Sequence, residues 1–293
     1  MRYLDRRQKM RKINKTRKLN SAWNPLNVSG KLVVYLYALV LLIPLAFAVI
    51  TAFKTGTERV VDPLGIPAQF RLDNFVIAWE QGDLLNATKN SVIIAVCTIA
   101  LQLASIVFVT FHLDTIRDTK IGNFLYMLII STMFIPSVSG VTSLMLRRNM
   151  GLYNNLVGEI LCGATGISFG VFVASGFLRT IPRELQEAAQ IDGASDFHIM
   201  TKVITPVIKP ALISVGILNF TGVWNNTTGA LLTLRDEELY TIPMALLLNF
   251  TQQLSVQYEV VFAGVIMTSI PLIIVYCRCQ KYFVSAMAGS VKG

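Results

Sequence analysis

The sequence is short of charge. Of its 293 residues only 15% are Asp, Glu, Lys or Arg, against roughly 25% in a soluble globular domain. Hydrophobic types fill 53%, and the mean hydropathy is +0.56. That balance excludes a disordered chain, a secreted disulfide scaffold and almost any soluble enzyme. Cysteine is scarce and scattered. Cys97 and Cys162 fall in apolar runs, where the thiol behaves as a small hydrophobe. Cys277 and Cys279 have no histidine or second cysteine pair nearby, so neither a disulfide framework nor a metal site is expected. There are two histidines, His112 and His198. No G-x-x-x-x-G-K-S/T pattern occurs, so nothing here resembles a nucleotide-binding P-loop.

What the chain does have is six long apolar runs, at about 32–53, 90–111, 121–146, 156–178, 207–232 and 259–277. Each is long enough to cross ~30 Å of hydrocarbon as a helix. Helix is required, because a lone strand cannot satisfy its backbone in lipid and no alternating barrel pattern is present. The expected fold is an all-α membrane protein with six transmembrane helices, its transmembrane domain covering 32–293 after a basic tail over 1–31. The apolar run after the tail is too long for a signal-peptide core, and no small-x-small cleavage site follows it.

The net charge of +9 comes from 26 basic and 17 acidic residues. Ten of the basic residues lie in the first 31 positions, directly before an apolar run. That reads as a cytoplasmic flank held near anionic membrane lipid, not as a nucleic-acid-binding arm. With the N-terminus inside, the inner segments carry 19 Lys and Arg and the outer ones seven, which places both termini in the cytoplasm.

Ionisable residues inside spans mark ion pathways by default. Here only Glu159 and Glu259 come close, both at the outer ends of spans. An ion-coupled transporter would have to hold its ion without a charged mid-span group. Span four contains Gly166-Ile167-Ser168-Phe169-Gly170, the G-x-S-x-G of a hydrolase nucleophile. That motif needs a strand–turn–helix setting, and the recurrence of Gly158, Cys162, Gly166, Gly170 and Ala174 every four residues reads better as a stripe for close helix approach. Span five carries Asn219, Thr221, Trp224, Asn225 and Asn226. Amides at that depth need partners. Interhelical hydrogen bonding and a polar lining for a hydroxyl-rich solute are the two readings left open.

The inner loop 179–206 is of another kind. Thr180 and Pro182 signal a helix start, and 183–191 is rich in good helix formers. Asp192-Gly193 breaks it, with glycine supplying a positive φ, and Ser195 is a natural N-cap for a second helix. Phe197, Met200, Val203 and Ile204 should share one face of that helix, with His198, Thr201, Lys202 and Thr205 opposite. Pro206 and Pro210 then lead into span five.

Glu187-Ala188-Ala189, Gly193 and Pro206 keep the order and spacing of the EAA loop. In this the chain resembles the membrane permease subunits of ATP-binding cassette importers that work with an extracytoplasmic solute-binding protein. Val203 stands where Ile is usual, and Thr205 where Leu normally precedes the proline. Asn90-Ser91, Ile135-Pro136, Gly151-Leu152-Tyr153-Asn154-Asn155, Trp224-Asn225, Tyr240-Thr241-Ile242-Pro243 and the terminal run 280–293 are similar to the carbohydrate, maltose-type branch, with Ser290 replacing the usual Ala. The similarity spans roughly residues 30 to 293.

The resemblance implies a multi-pass subunit of a prokaryotic cell membrane that shares a pathway for a sugar or oligosaccharide with a second, usually different, permease. Two ATPase subunits would bind ATP below it, and a binding protein would deliver solute from outside. This subunit would hold no cofactor, metal or catalytic residue. A cytoplasmic helix hairpin between spans four and five would couple it to the ATPases through Glu187, Ala188, Ala189, Asp192, Gly193 and Pro206. Asn219, Trp224 and Asn225 are the candidate solute-path residues. A non-sugar solute, such as a polyamine or peptide, and an ion-coupled transporter remain the alternatives.

Overall fold

The computed structural model describes residues 25–135, 140–251 and 256–290. The tail over 1–24, Pro136 and the last three residues lie outside the described residues, as do the side chains of the terminal run from 281. Every regular element among the described residues is helical.

The first helix, α1 (Pro25–Ala52), begins inside the stretch read as tail and holds Pro44 within it. Its apolar side chains from Leu32 to Leu45 are more than half exposed, as suits a helix bathed in lipid tails. Asn74 closes its C-terminal end, donating to the carbonyls of Ala52 and Lys54 at 2.8 Å each. Two short surface helices follow, α2 (Gly56–Val61) and α3 (Asp73–Gln81). Thr55 and Glu58 form a capping box at the start of α2. Glu58 also accepts from the Ala68 amide, and its hydrogen bonds from the Thr55 amide and hydroxyl help hold its carboxyl below the usual carboxylate range.

The long helix α4 (Leu84–Thr115) is the centre of the bundle. Ile94, Ala95, Thr98, Gln102 and Ile106 along it are all buried. After it come α5 (Lys120–Ser131), which tightens into a 3-10 turn over Thr132–Phe134, and α6 (Gly140–Asn149). The single span expected over 121–146 is therefore two shorter helices on either side of the undescribed 136–139.

The run 156–178 is also divided, into α7 (Leu156–Ala164) and α8 (Ser168–Leu178), bent by 41°. The four-residue stripe does not lie along one helix, because Gly166 sits in the break and is exposed. The stripe still works locally. A Cβ at Gly170 would lie 2.2 Å from Ile106 Cδ1, so glycine there lets α8 lie against α4.

A hairpin leads from α8 through α9 (Glu184–Ile191) into one continuous helix, α10 (Asp196–Trp224). The span expected over 207–232 is thus displaced: it begins at Asp196, runs through Pro206 and Pro210, and ends at Trp224. Asn225 caps that end, and Asn226 opens α11 (Thr227–Thr233). Pro206 falls in the first turn after a π-helical stretch, Ile199–Ile204. Its missing N–H fits there, because the wide turn has already displaced the normal bonding pattern. Finally α12 (Ile242–Thr251) and α13 (Tyr258–Ser290) close the bundle.

Among the described residues, four helices are long and apolar enough to cross a membrane, and the bent pair α7–α8 makes a fifth candidate. Beside a small core at Ala230, Leu234 and Met244, two large ones hold the bundle. One joins α3, α4, α10, α12 and α13 around Leu84, Trp224, Phe250 and Ala263. The other joins α4, α8, α10 and the hairpin around Ile106, Val171, Ile199, Ile204 and Ile208.

Candidate functional site

The hairpin turn follows from local rules. After α9 the chain makes two bonds: the Gly193 amide donates to the Gln190 carbonyl and the Ala194 amide to the Ala189 carbonyl, both at 3.0 Å. Those are the 5→2 and 6→1 bonds of a Schellman motif. Gly193 has φ +80°, a conformation disfavoured for any residue with a Cβ. Ser195 then caps the next helix, its Oγ accepting from the His198 amide at 3.4 Å. The turn carries little side-chain mass and is fixed by backbone bonds.

The faces of the hairpin differ from the simple helical expectation in one respect. Met200 and Ile204 are buried and Val203 half-buried as expected, but Phe197 is 71% exposed and Ile199 is fully buried in its place. The π-helical stretch adds a residue per turn and rotates the register, which a 3.6-residue period does not anticipate. Leu185, Ile191 and Phe197 stand out from the hairpin, Ile191 at 86% exposure. Glu187, Ala188, Asp192, Gly193 and Pro206 are exposed beside them, and Ala189 is half-buried. The exposed surface of the knob therefore sets Leu185, Ile191 and Phe197 among four carboxylates, Glu184, Glu187, Asp192 and Asp196.

The amides of α10 separate into two groups. Asn219 Nδ2 donates to Gln102 Oε1 at 2.8 Å, and Gln102 Nε2 donates to the Gly163 carbonyl at 2.8 Å. This chain of bonds ties α10 to α4 and to the C-terminal end of α7. Asn225 is exposed, its Nδ2 bonded to the Thr221 carbonyl at 2.9 Å. Trp224 is buried and stacks on Phe220 with ring centroids 5.2 Å apart. Trp224 and Asn225 lie together on an open cleft between α10, α12 and α13, with Thr227, Thr268 and Ser269 supplying hydroxyls among Leu246, Val261 and Val265. Asn219 is bonded to Gln102 instead. Ser168 meets Thr132 hydroxyl to hydroxyl.

Reading the sequence missed two features. Gln102 is a buried amide in mid-span, and its signal was visible as one polar residue in an apolar run. The second is a buried ion pair between α6 and α7. Arg147 Nη1 meets Glu159 Oε1, which also accepts from the Thr233 hydroxyl. Arg147 had been counted as an outer-loop charge, and nothing local in the sequence couples it to Glu159. Similarly, Lys54 is buried, its Nζ donating to the carbonyls of Asp62 and Pro63 at 2.6 and 3.0 Å. No group of three or more potential metal-ligating side chains occurs among the described residues.

Residues 113–289 match the family described as binding-protein-dependent transport system inner membrane component. The chain belongs to that family. It is 32% identical to the probable ABC transporter permease protein YurM of Bacillus subtilis over 89% of this chain and 87% of that one. It is 29% identical to the arabinooligosaccharides transport system permease protein AraQ of Halalkalibacterium halodurans, over 87% and 93%. It is 30% identical to the melibiose/raffinose/stachyose import permease protein MelC of Bacillus subtilis, over 78% and 83%. In fold it is similar to a chain of a bacterial ABC transporter involved in the import of the acidic polysaccharide alginate, with TM-score 0.79 and 23% identity over 88% of this chain and 96% of that chain. These relatives are permeases, not enzymes, and membership of the family makes this chain a multi-pass inner-membrane component of a binding-protein-dependent importer.

Proposed function

We propose that this subunit forms part of the pathway by which a sugar or oligosaccharide, handed over by an extracytoplasmic binding protein, enters the cell at the expense of ATP. Two relatives named above are permeases for arabinooligosaccharides and for melibiose, raffinose and stachyose, and the open cleft at Trp224 and Asn225 offers amide and hydroxyl groups on an apolar wall. That mixture suits a sugar, whose hydroxyls need polar partners and whose ring faces are apolar. The six spans are α1, α4, α5 with α6, α7 with α8, α10 and α13, with both termini inside and the α8–α10 hairpin in the cytoplasm. A second permease completes the pathway, and two ATPase subunits bind the ATP.

The observation that carries this reading is the hairpin: a turn fixed by its own backbone, presenting exposed Leu185, Ile191 and Phe197 around Glu187. A compact knob on the cytoplasmic side that mixes exposed apolar side chains with carboxylates fits a cleft in a partner protein. Glu187, Ala188, Ala189, Asp192, Gly193 and Pro206 belong to it. Glu187→Ala removes a charge-assisted hydrogen bond to that partner, worth roughly 1.5–3 kcal/mol. Retention of the ATPase on the purified complex should fall about tenfold to a hundredfold, with membrane abundance unchanged. ATPase retention and uptake both at wild-type levels would refute the docking role.

A further inference from the structure

Among the described residues, two side-chain hydrogen bonds tie the start of α9 to the segment 114–118 at the end of α4, beside Arg179, which lies over the Tyr126 ring of α5 at 5.0 Å. Gln186 Nε2 donates to Asp114 Oδ2 at 3.1 Å, and Arg183 Nη1 donates to Asp118 Oδ2. The other oxygen of Asp114 accepts from Arg117 Nη1 at 3.0 Å. The Arg183–Asp118 pair is exposed and of the kind that contributes little. Asp114 is different: its side chain is only 9% exposed and both of its oxygens are engaged. Its position also runs against local electrostatics. It lies in the last turn of α4, where the free carbonyls disfavour a carboxylate. An acid kept at that place, enclosed and bonded on both sides, is there for its partners. Ala189 and Ala194 of the hairpin pack against the apolar cluster to which Phe111 and Leu113 of α4 belong.

We propose that Asp114 is a positioning residue that latches the hairpin to the inner end of α4, so that movement of α9 is delivered to α4 as well as along the main chain. The outer end of the same helix holds the loop before α12. Asn86 Nδ2 and Asn90 Nδ2 donate to the Glu238 carbonyl at 2.8 Å each, and the Ser91 hydroxyl accepts from the Ile242 amide at 2.9 Å. One helix therefore links the cytoplasmic knob to the outer loop, a route additional to α10. The inference rests on the reading of 179–206 as the surface that docks the ATPase.

The test is hydrogen exchange on the whole complex, purified through this chain and compared nucleotide-free and trapped with ATP and vanadate. In the wild type, trapping should change the exchange of amides 234–241. Asp114→Ala should leave the ATPase bound, raise exchange in α9 about tenfold, as one lost charge-assisted bond implies, and abolish the response at 234–241. Asp114→Asn, which keeps an acceptor for Gln186, should retain the response. Gln186→Leu, which removes only the hairpin's half of the bond, should lose it, so the test stands even where Asp114→Ala does not fold. An undiminished response at 234–241 in Gln186→Leu, or in a folded Asp114→Ala, overturns the latch. A wild-type α9 that gains no protection when the ATPase binds overturns the docking reading instead.

Discussion

Replacing Gly193 with valine isolates the contribution of a single backbone conformation. Gly193 sits at φ +80°, and a Cβ built there meets no heavy atom within 4 Å. A Cβ there therefore meets no neighbour, and holding an L-residue in the left-handed region costs about 1–2 kcal/mol, to which valine's branching at Cβ adds. At 1.4 kcal/mol per decade, the population of the intact turn falls about five- to thirtyfold relative to its alternatives. The two Schellman bonds of Gly193 and Ala194 go with it, and the knob loses its aim. Asparagine is larger than glycine but tolerates this conformation. The expected order for ATPase retention and for uptake is therefore glycine, then asparagine, then alanine, then valine, with equal amounts of all four variants in the membrane. The assay is co-purification of the ATPase together with uptake of the solute carried by the cognate binding protein. Asparagine performing no better than valine would show that size, not φ, governs the position and would refute the argument.

At the buried pair between α6 and α7, removing one partner leaves a lone buried charge, which costs about 3–5 kcal/mol. Glu159→Leu should lower the melting temperature of the purified complex sharply, and the double variant with Arg147→Met should recover most of it. Asn219→Leu breaks the bond to Gln102 and should destabilise by about 0.6–1.7 kcal/mol, whereas Asn225→Ala should leave melting unchanged and alter uptake or its sugar preference. Equal effects on melting from both would refute the division between a packing amide and a path amide. For topology, a cysteine at Leu64, which is 82% exposed, should react with an impermeant thiol reagent from outside in a cysteine-free background. Gly65 is unsuitable, since a Cβ there would strike the Asp62 carboxylate. Labelling only after permeabilisation would invert the proposed orientation.

The hairpin was legible because its rules are local. Pro182, Gly193 and Ser195 act within one or two turns, and the structure puts a helix, a left-handed turn and an N-cap where they stand. The family was legible for the same reason, since its signature lies in that loop. The helix breaks were not. Cys162, Gly166 and Gly170 read as one continuous stripe because hydropathy does not change across Thr165–Ile167, and the bend is set by how α7 and α8 pack against α4 and by Gln102 reaching the Gly163 carbonyl. The end of α10 was placed too late for a related reason. Asn225 and Asn226 were read as polar groups within a span, whereas they cap two successive helices. Lys54 and Arg147 count as loop charges in the sequence and Glu159 as a residue near a span end, and only the tertiary structure shows that all three are buried.

The unbroken course of α10 has a mechanical consequence. Its 29 residues rise about 1.5 Å each, making a rod ~43 Å long, with the proposed docking knob at one end and Trp224 at the other. Two prolines near its foot would ordinarily invite a kink, and a kink would absorb a push there. Moved as one piece, a tilt of about 10° around its midpoint would carry each end sideways by about 4 Å in opposite senses. A span that stopped short of the hairpin would need a joint, and a joint turns displacement into slack. On the proposed docking, a push at the knob would therefore reach Trp224 with its sense reversed.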